Sequence, residues 1–439
     1  MTKQRDLKKL VRERMKRTGE RYATARAHIV QARSHDDPQP TGVHPGYGPC
    51  GGLQTETGAL TNVLRHAGVR DRDGKPLDET TVFGLCGGIG FLYGVFEYKG
   101  HPPTMTVVAR QSSMPDVFVA AGIERIVPGA ETIETSAPAK ARRELDRLLD
   151  AGQSVLCTVD AAALPYYGLP ANLVGMGPQV VAAIGRDGND HVWLDDRGTA
   201  PIRLSNEAFA AARAGYRKGK HRMTVIPEAI EVDRKQLMLD ALRAAVDDYD
   251  TPPAKPFASN VGTPGLRKWA RLLADEKDAK GWRKVFAEAE HAYVGLHRAY
   301  DCTQHEYTAP AGSRPLFAAF LDEAAATTGL PGLTDIAGEF RRIGEVWEKL
   351  GRTIADCGDS AVERGCGLSD RRAELLDEQG ADATEEMATL WAERRDLAAS
   401  CKLAPAGAAA IYAELAPMVS EIAESERSAL DRLGQLLPE

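Results

Sequence analysis

The sequence predicts an α+β domain followed by an all-helical domain, with a short basic helical segment at the N-terminus. Three observations carry that prediction. Between residues 41 and 228 short apolar strand candidates alternate with amphipathic helices. From 229 to 439 the chain is rich in Ala, Leu, Glu and Arg, with long 3.6-residue periodicity and almost no strand signal. Residues 1–33 hold eleven Lys/Arg against three Asp/Glu, a local charge of +8 in a chain whose formal net charge is −7.

The elements follow in order. Leu7, Leu10, Val11 and Met15 fall at helical spacing, and two short helices are expected over 6–33, split at Thr18-Gly19. A polar linker, Asp36-Asp37-Pro38-Gln39-Pro40, closes this first segment, 1–40. In the mixed domain, 41–228, helices are expected over 57–66, 139–151 and 206–214. Glycines at 68 and 152 stop the first two. Strands are expected over 105–109, 154–159, 179–184 and 191–194, the last two joined by a hairpin turn at Gly185-Arg186-Asp187-Gly188-Asn189. Within the helical domain, 229–439, loops are expected over 252–265 and 308–315.

Composition narrows the function classes. With 43% hydrophobic and 27% charged residues the chain is ordinary globular protein. There is no apolar run of about 18 residues to span a membrane, and the basic N-terminus lacks the apolar core of a secretory signal. Seven scattered cysteines with no C-x-x-C pair argue against a disulfide framework and against zinc. The expectation is a cytoplasmic protein with reduced thiols, no metal and no cofactor. The +8 segment offers charge for nucleic acid, but its apolar stripe favours docking onto the acidic remainder of the chain or onto a second subunit, so nucleic acid is not expected as a partner and a homo-oligomer is open.

Four stretches, TETGALTNVLRHAGV (55–69), TVFGLCGGIGFLYG (81–94), VDAAALPYY (159–167) and QVVAAIGRDGNDHVWLDD (179–196), make the chain similar to the butirosin biosynthesis protein H N-terminal domain family. GTPGLRKWARLL (262–273) and PLFAAFLDEAA (315–325) resemble the helical domain of unknown function that often follows it. The resemblance implies a papain-like fold and transfer of an acyl group from a carrier-protein thioester to a small amine. Such chemistry needs a thiolate at a helix start, a histidine base on a nearby strand and a carboxylate to orient it.

Carried over residue by residue, the resemblance places Gln54-Thr55 where the family has His-Cys, Gln179 where it has the base, and Asp195 as the orienting carboxylate. A threonine hydroxyl without a base is a poor nucleophile, and a glutamine cannot accept a proton. Cys50, in Pro49-Cys50-Gly51-Gly52, is the alternative nucleophile, with His44 or His191 as its base, set against the plainer reading of an inert loop thiol. Gln54, Gly88, Asp160 and Tyr166 are expected to border the cleft. The glycine-rich Gly84-Leu85-Cys86-Gly87-Gly88-Ile89-Gly90 fits no phosphate-loop pattern and reads as a tight turn. Asp195-Asp196 alone supplies too few oxygens for a metal. His297, Asp301 and His305 share a helical face that zinc would suit, although satisfied histidines are the simpler account. Two functions stay open: an acyltransferase with a degenerate Cys/His site, its partner an acyl carrier protein or a small amine, and a non-catalytic homologue that binds a small molecule or a partner protein.

Overall fold

The computed structural model describes residues 40–48, 52–196 and 201–438 and, ahead of them, only residues 10, 11 and 13. The two expected N-terminal helices thus lie largely outside the described residues. Of their apolar stripe, Val11 is buried and Leu10 exposed.

Helix α1 (Thr55–His66) begins where the Gln54 side chain accepts the Thr57 N–H at 3.1 Å, so Gln54 is its N-cap. Helix α2 (Glu79–Leu85) is capped in the same way by Asp78. Strands β1 (Leu92–Phe96) and β2 (Thr104–Val108) form an antiparallel hairpin. After helix α3 (Pro115–Ile126), strand β3 (Glu131–Ile133) and helix α4 (Pro138–Asp150) come the central strands β4 (Val155–Asp160), β5 (Pro178–Asp187), β6 (His191–Asp195) and β7 (Ile202–Ser205). Helix α5 (Asn206–Gly215) and strand β8 (Met223–Val225) complete an antiparallel six-stranded sheet in the order β3-β8-β4-β5-β6-β7.

The sheet has two buried faces. Leu156, Val180, Ala182 and Ile184 belong to the core that contains α1, while Val155, Cys157, Val159, Val181 and Ala183 belong to a second core with α4 and α5. Strand β5 continues through Gly185 to Asp187, so the turn is shorter than expected. The reason is a register shift at Gly185, whose φ of +148° lets the backbone at Gly42 and Val43 bridge onto it.

From Arg234 onward every described element is helical. The principal ones are α6 (Arg234–Asp247), α7 (Gly262–Ala274), α8 (Ala289–Gln304), α9 (Arg314–Thr328), α10 (Leu333–Ala355), α11 (Ser360–Gln379), α12 (Thr384–Leu397) and α13 (Pro405–Leu436). One hydrophobic cluster runs from α1 and α2 through α9 and α10 to α13, so the two regions share a core. Gly84 and Gly88 belong to that contact: a Cβ on either would strike the ring of Phe320 or Phe317 on α9. Gly88 is therefore a packing residue rather than a cleft residue. Among the described residues no single helix is long and apolar enough to cross a membrane.

A buried ion pair ties these parts together. Arg314 donates from Nε to Glu426 Oε1 and from Nη2 to Glu426 Oε2, both at 2.7 Å, and neither side chain is exposed. Its remaining donors reach Ala109 O (2.7 Å) and Gly90 O (3.1 Å) in the α+β region. Trp347 Nε1 and Tyr249 Oη donate to the same carboxylate. Removing one partner leaves an uncompensated buried charge, which costs about 3–5 kcal/mol. Glu426→Gln and Arg314→Met should each lower the urea-unfolding free energy by an amount of that order, and the double variant should cost less than the sum of the two.

Candidate functional site

Between the sheet region and the helical region lies a cavity of about 1010 Å³. One side is built by Gly52, Leu53, Thr55, Glu56 and Gln179, and the facing side by Asp301, Gln304, His305, Arg372 and Trp391.

Thr55 is the first residue of α1, where the helix dipole is positive and N–H groups lack intrahelical partners. The loop that delivers it is held by a carboxylate that no motif along the chain singles out. Buried Glu79 of α2 accepts the backbone N–H groups of Gly52 (2.8 Å), Leu53 (2.9 Å) and Gln54 (2.8 Å), and the Thr57 hydroxyl at 3.2 Å. Burial pushes the Glu79 carboxyl above its ordinary range, against the pull of these donors. Next to Thr55, Glu56 faces the Arg110 guanidinium at 3.3 Å and takes a hydrogen bond from the Gln54 amide. Gln54 itself caps the helix and is not part of the cavity wall.

Gln179, the second residue of β5, lines the cavity, as Thr55 does. Its amide Nε2 donates to Asp196 Oδ1 at 3.0 Å, and the hydroxyls of Tyr166 and Tyr167 donate to Asp196 Oδ2 at 2.9 and 2.8 Å. The carboxylate that meets Gln179 is thus Asp196 and not its neighbour Asp195. Strand alternation explains the difference. Asp195 lies opposite Ala182 in the β5–β6 register and turns toward α1, where it accepts from Tyr47 Oη (2.6 Å) and Asn62 Nδ2 (2.7 Å). Asp196, one residue on, shares the face of Gln179. Spacing alone could not separate two adjacent aspartates.

The other expected cleft residues are structural. Buried Asp160 caps the turn after β4 through Ala162 N–H (3.0 Å) and Gly175 N–H (2.7 Å). Tyr166 is fully buried and does not line the cavity, whereas its neighbour Tyr167, packed against it, lines the wall.

Cys50 lies outside the described residues. Its two suggested bases do not line the cavity: His44 stacks on His66 with ring centroids 5.8 Å apart, and the His191 ring contacts Arg203. On the His297–Asp301–His305 face, His297 and Asp301 stay together at 3.7 Å, while His305 has a different partner. His297 bonds to Ser369 and the Gly365 carbonyl, each at 3.2 Å, and burial pushes its pKa down to about 4. Asp301 pairs with Arg394 at 2.7 Å, and His305, just past the helix end, pairs with Asp370 at 3.0 Å. No cluster of three or more metal-ligating side chains occurs among the described residues.

None of the six described cysteines lines the cavity. Burial raises the Cys86 thiol to about 12 and those of Cys157, Cys302 and Cys401 to about 11. Limiting iodoacetamide at pH 7, mapped by peptide mass, should leave these four unmodified in the native protein and label them only after unfolding in urea.

Two family comparisons bear on this arrangement. Residues 54–197, from the cap of α1 to just past β6, match the family described as butirosin biosynthesis protein H, N-terminal. Residues 206–368, from α5 into α11, match a domain of unknown function, DUF4872. No curated protein matches the chain.

Proposed function

We propose, since the chain belongs to the butirosin biosynthesis protein H N-terminal family, that it binds a small molecule of a specialised biosynthetic pathway in this cavity without the thiol acyl transfer its resemblance implies. The observation that carries the proposal is the state of Gln179. Its amide donates to Asp196, whose other oxygen is taken by two tyrosine hydroxyls. A carboxamide fixed in this way offers the cavity a carbonyl acceptor but no basic nitrogen. Thr55 stands at a helix start, and a threonine hydroxyl that no base activates is weakly nucleophilic.

The framework of such a site is nevertheless kept. A helix N-terminus and the first residues of a central antiparallel strand meet at one cavity, the layout that a papain-like ancestor would leave behind. The cavity volume falls at the upper end of the range of small-molecule sites, about 300–1,000 Å³. Both the helix start and the polar wall facing it favour a ligand with hydrogen-bonding groups.

The competing reading, amide formation through Cys50, draws on one fact: Gly52, two residues on, lines the cavity. An acyl N-acetylcysteamine thioester decides between them, read by intact mass. The wild-type protein should form no acyl adduct, and Thr55→Cys combined with Gln179→His should gain one at residue 55. A stoichiometric adduct on the wild-type protein that disappears in Cys50→Ser would overturn the binding reading.

A further inference from the structure

The charges around the cavity are not balanced. Glu56 faces Arg110 at 3.3 Å, Glu306 takes Arg298 at 2.6 Å, Asp301 takes Arg394 at 2.7 Å, and His305 faces Asp370 at 3.0 Å. Arg372 of α11 is different. It lines the cavity half-buried, and no carboxylate oxygen among the described residues comes within ion-pair distance of it. Its guanidinium lies over the Trp391 ring, 4.2 Å from the centroid, and its Nε is buried without a partner. The adjacent Arg371 shows what an ordinary surface arginine does here: it pairs with Glu374 and Glu386.

Two further features belong to the same wall. Gln304 is buried, lines the cavity, and has neither its amide nitrogen nor its carbonyl oxygen bonded. Asp301 keeps Oδ1 without a partner while Oδ2 holds Arg394. Burial, reinforced by the Arg394 charge, pushes the Arg372 pKa down to about 9, against the weaker pull of the Asp301 and Glu306 charges. A cation with no carboxylate in ion-pair distance and a buried amide left unbonded are both costly, and groups of this kind lining one cavity are groups a ligand can satisfy.

We infer that Arg372 is the anion-binding group of the cavity, receiving a carboxylate or phosphate oxyanion of the bound small molecule while Trp391 supports the guanidinium plane. Arginine suits this role because its planar fork meets two oxygens at once, and an aromatic face beneath it fixes the fork's orientation. The anion is placed on the helical side, across the cavity from Thr55 and Gln179, so the uncharged remainder of the ligand lies toward the α1 start. This inference rests on the small-molecule reading above.

Two fluorescent probes with one aromatic skeleton test it on the full-length protein: 8-anilinonaphthalene-1-sulfonate and the uncharged N-phenyl-1-naphthylamine. Both should bind, the sulfonate about tenfold more tightly, as a charge-assisted bidentate contact implies. Arg372→Gln should remove that advantage and leave the neutral probe unchanged, and Arg372→Lys should restore part of it. Inorganic phosphate and acetate, titrated separately, should displace the sulfonate from the wild type but not from Arg372→Gln, and the stronger competitor identifies the preferred head group. Equal affinities for the two probes, or sulfonate binding indifferent to Arg372 and to both competitors, would overturn the anion assignment while leaving the cavity reading intact. Failure of both probes to bind would overturn the two together. The probe comparison and the competition on wild-type protein decide the matter even if Arg372→Gln does not fold.

Discussion

The fold is organised around a charge that has no access to water. Arg314 and Glu426 sit side by side in the core, and each is acceptable there only because the other, and a ring of hydrogen bonds, replaces its hydration. Those hydrogen bonds come from distant parts of the chain. The carbonyls of Gly90 and Ala109 belong to the α+β region, Arg314 to α9, Trp347 to α10 and Glu426 to α13. A buried pair that can be satisfied in only one arrangement specifies how the helical region sits on the sheet region. That placement in turn sets the walls of the cavity, since one wall comes from each region.

The cavity itself combines a locked side and an open side. On the sheet side Glu79 holds the loop before α1, and Asp196 gathers Gln179, Tyr166 and Tyr167. A network whose members satisfy one another is rigid, and it has little capacity left for proton transfer. On the helical side several polar atoms remain unbonded in a partly dry setting. The sheet-side wall thus holds its polar groups mostly in contacts within the protein, while the helical wall presents groups open to a ligand.

Much of the outline was legible in the chain. The predominance of helices in the second half of the chain, most of the length of α1, and the strands β4, β5 and β6 follow from periodicity and turn residues. Residue type also says that Gln179 has no basic nitrogen to accept a proton. Short strands such as β3, β7 and β8 escaped, since three or four residues carry no periodicity and are strands only because a neighbour pairs with them.

Residue order and residue type are enough to establish the succession of elements, the family likeness and the lack of a thiol–imidazole pair at Thr55 and Gln179. Which groups meet was decided only by tertiary structure. Asp196 rather than Asp195 faces Gln179, because a strand turns adjacent residues to opposite faces and only the register says which face is which. Glu79 anchors a loop 25 residues before it, and Arg372 and Trp391 arrive opposite Thr55 from more than 300 residues away. Such meetings depend on long-range packing, and no local pattern along the chain encodes them.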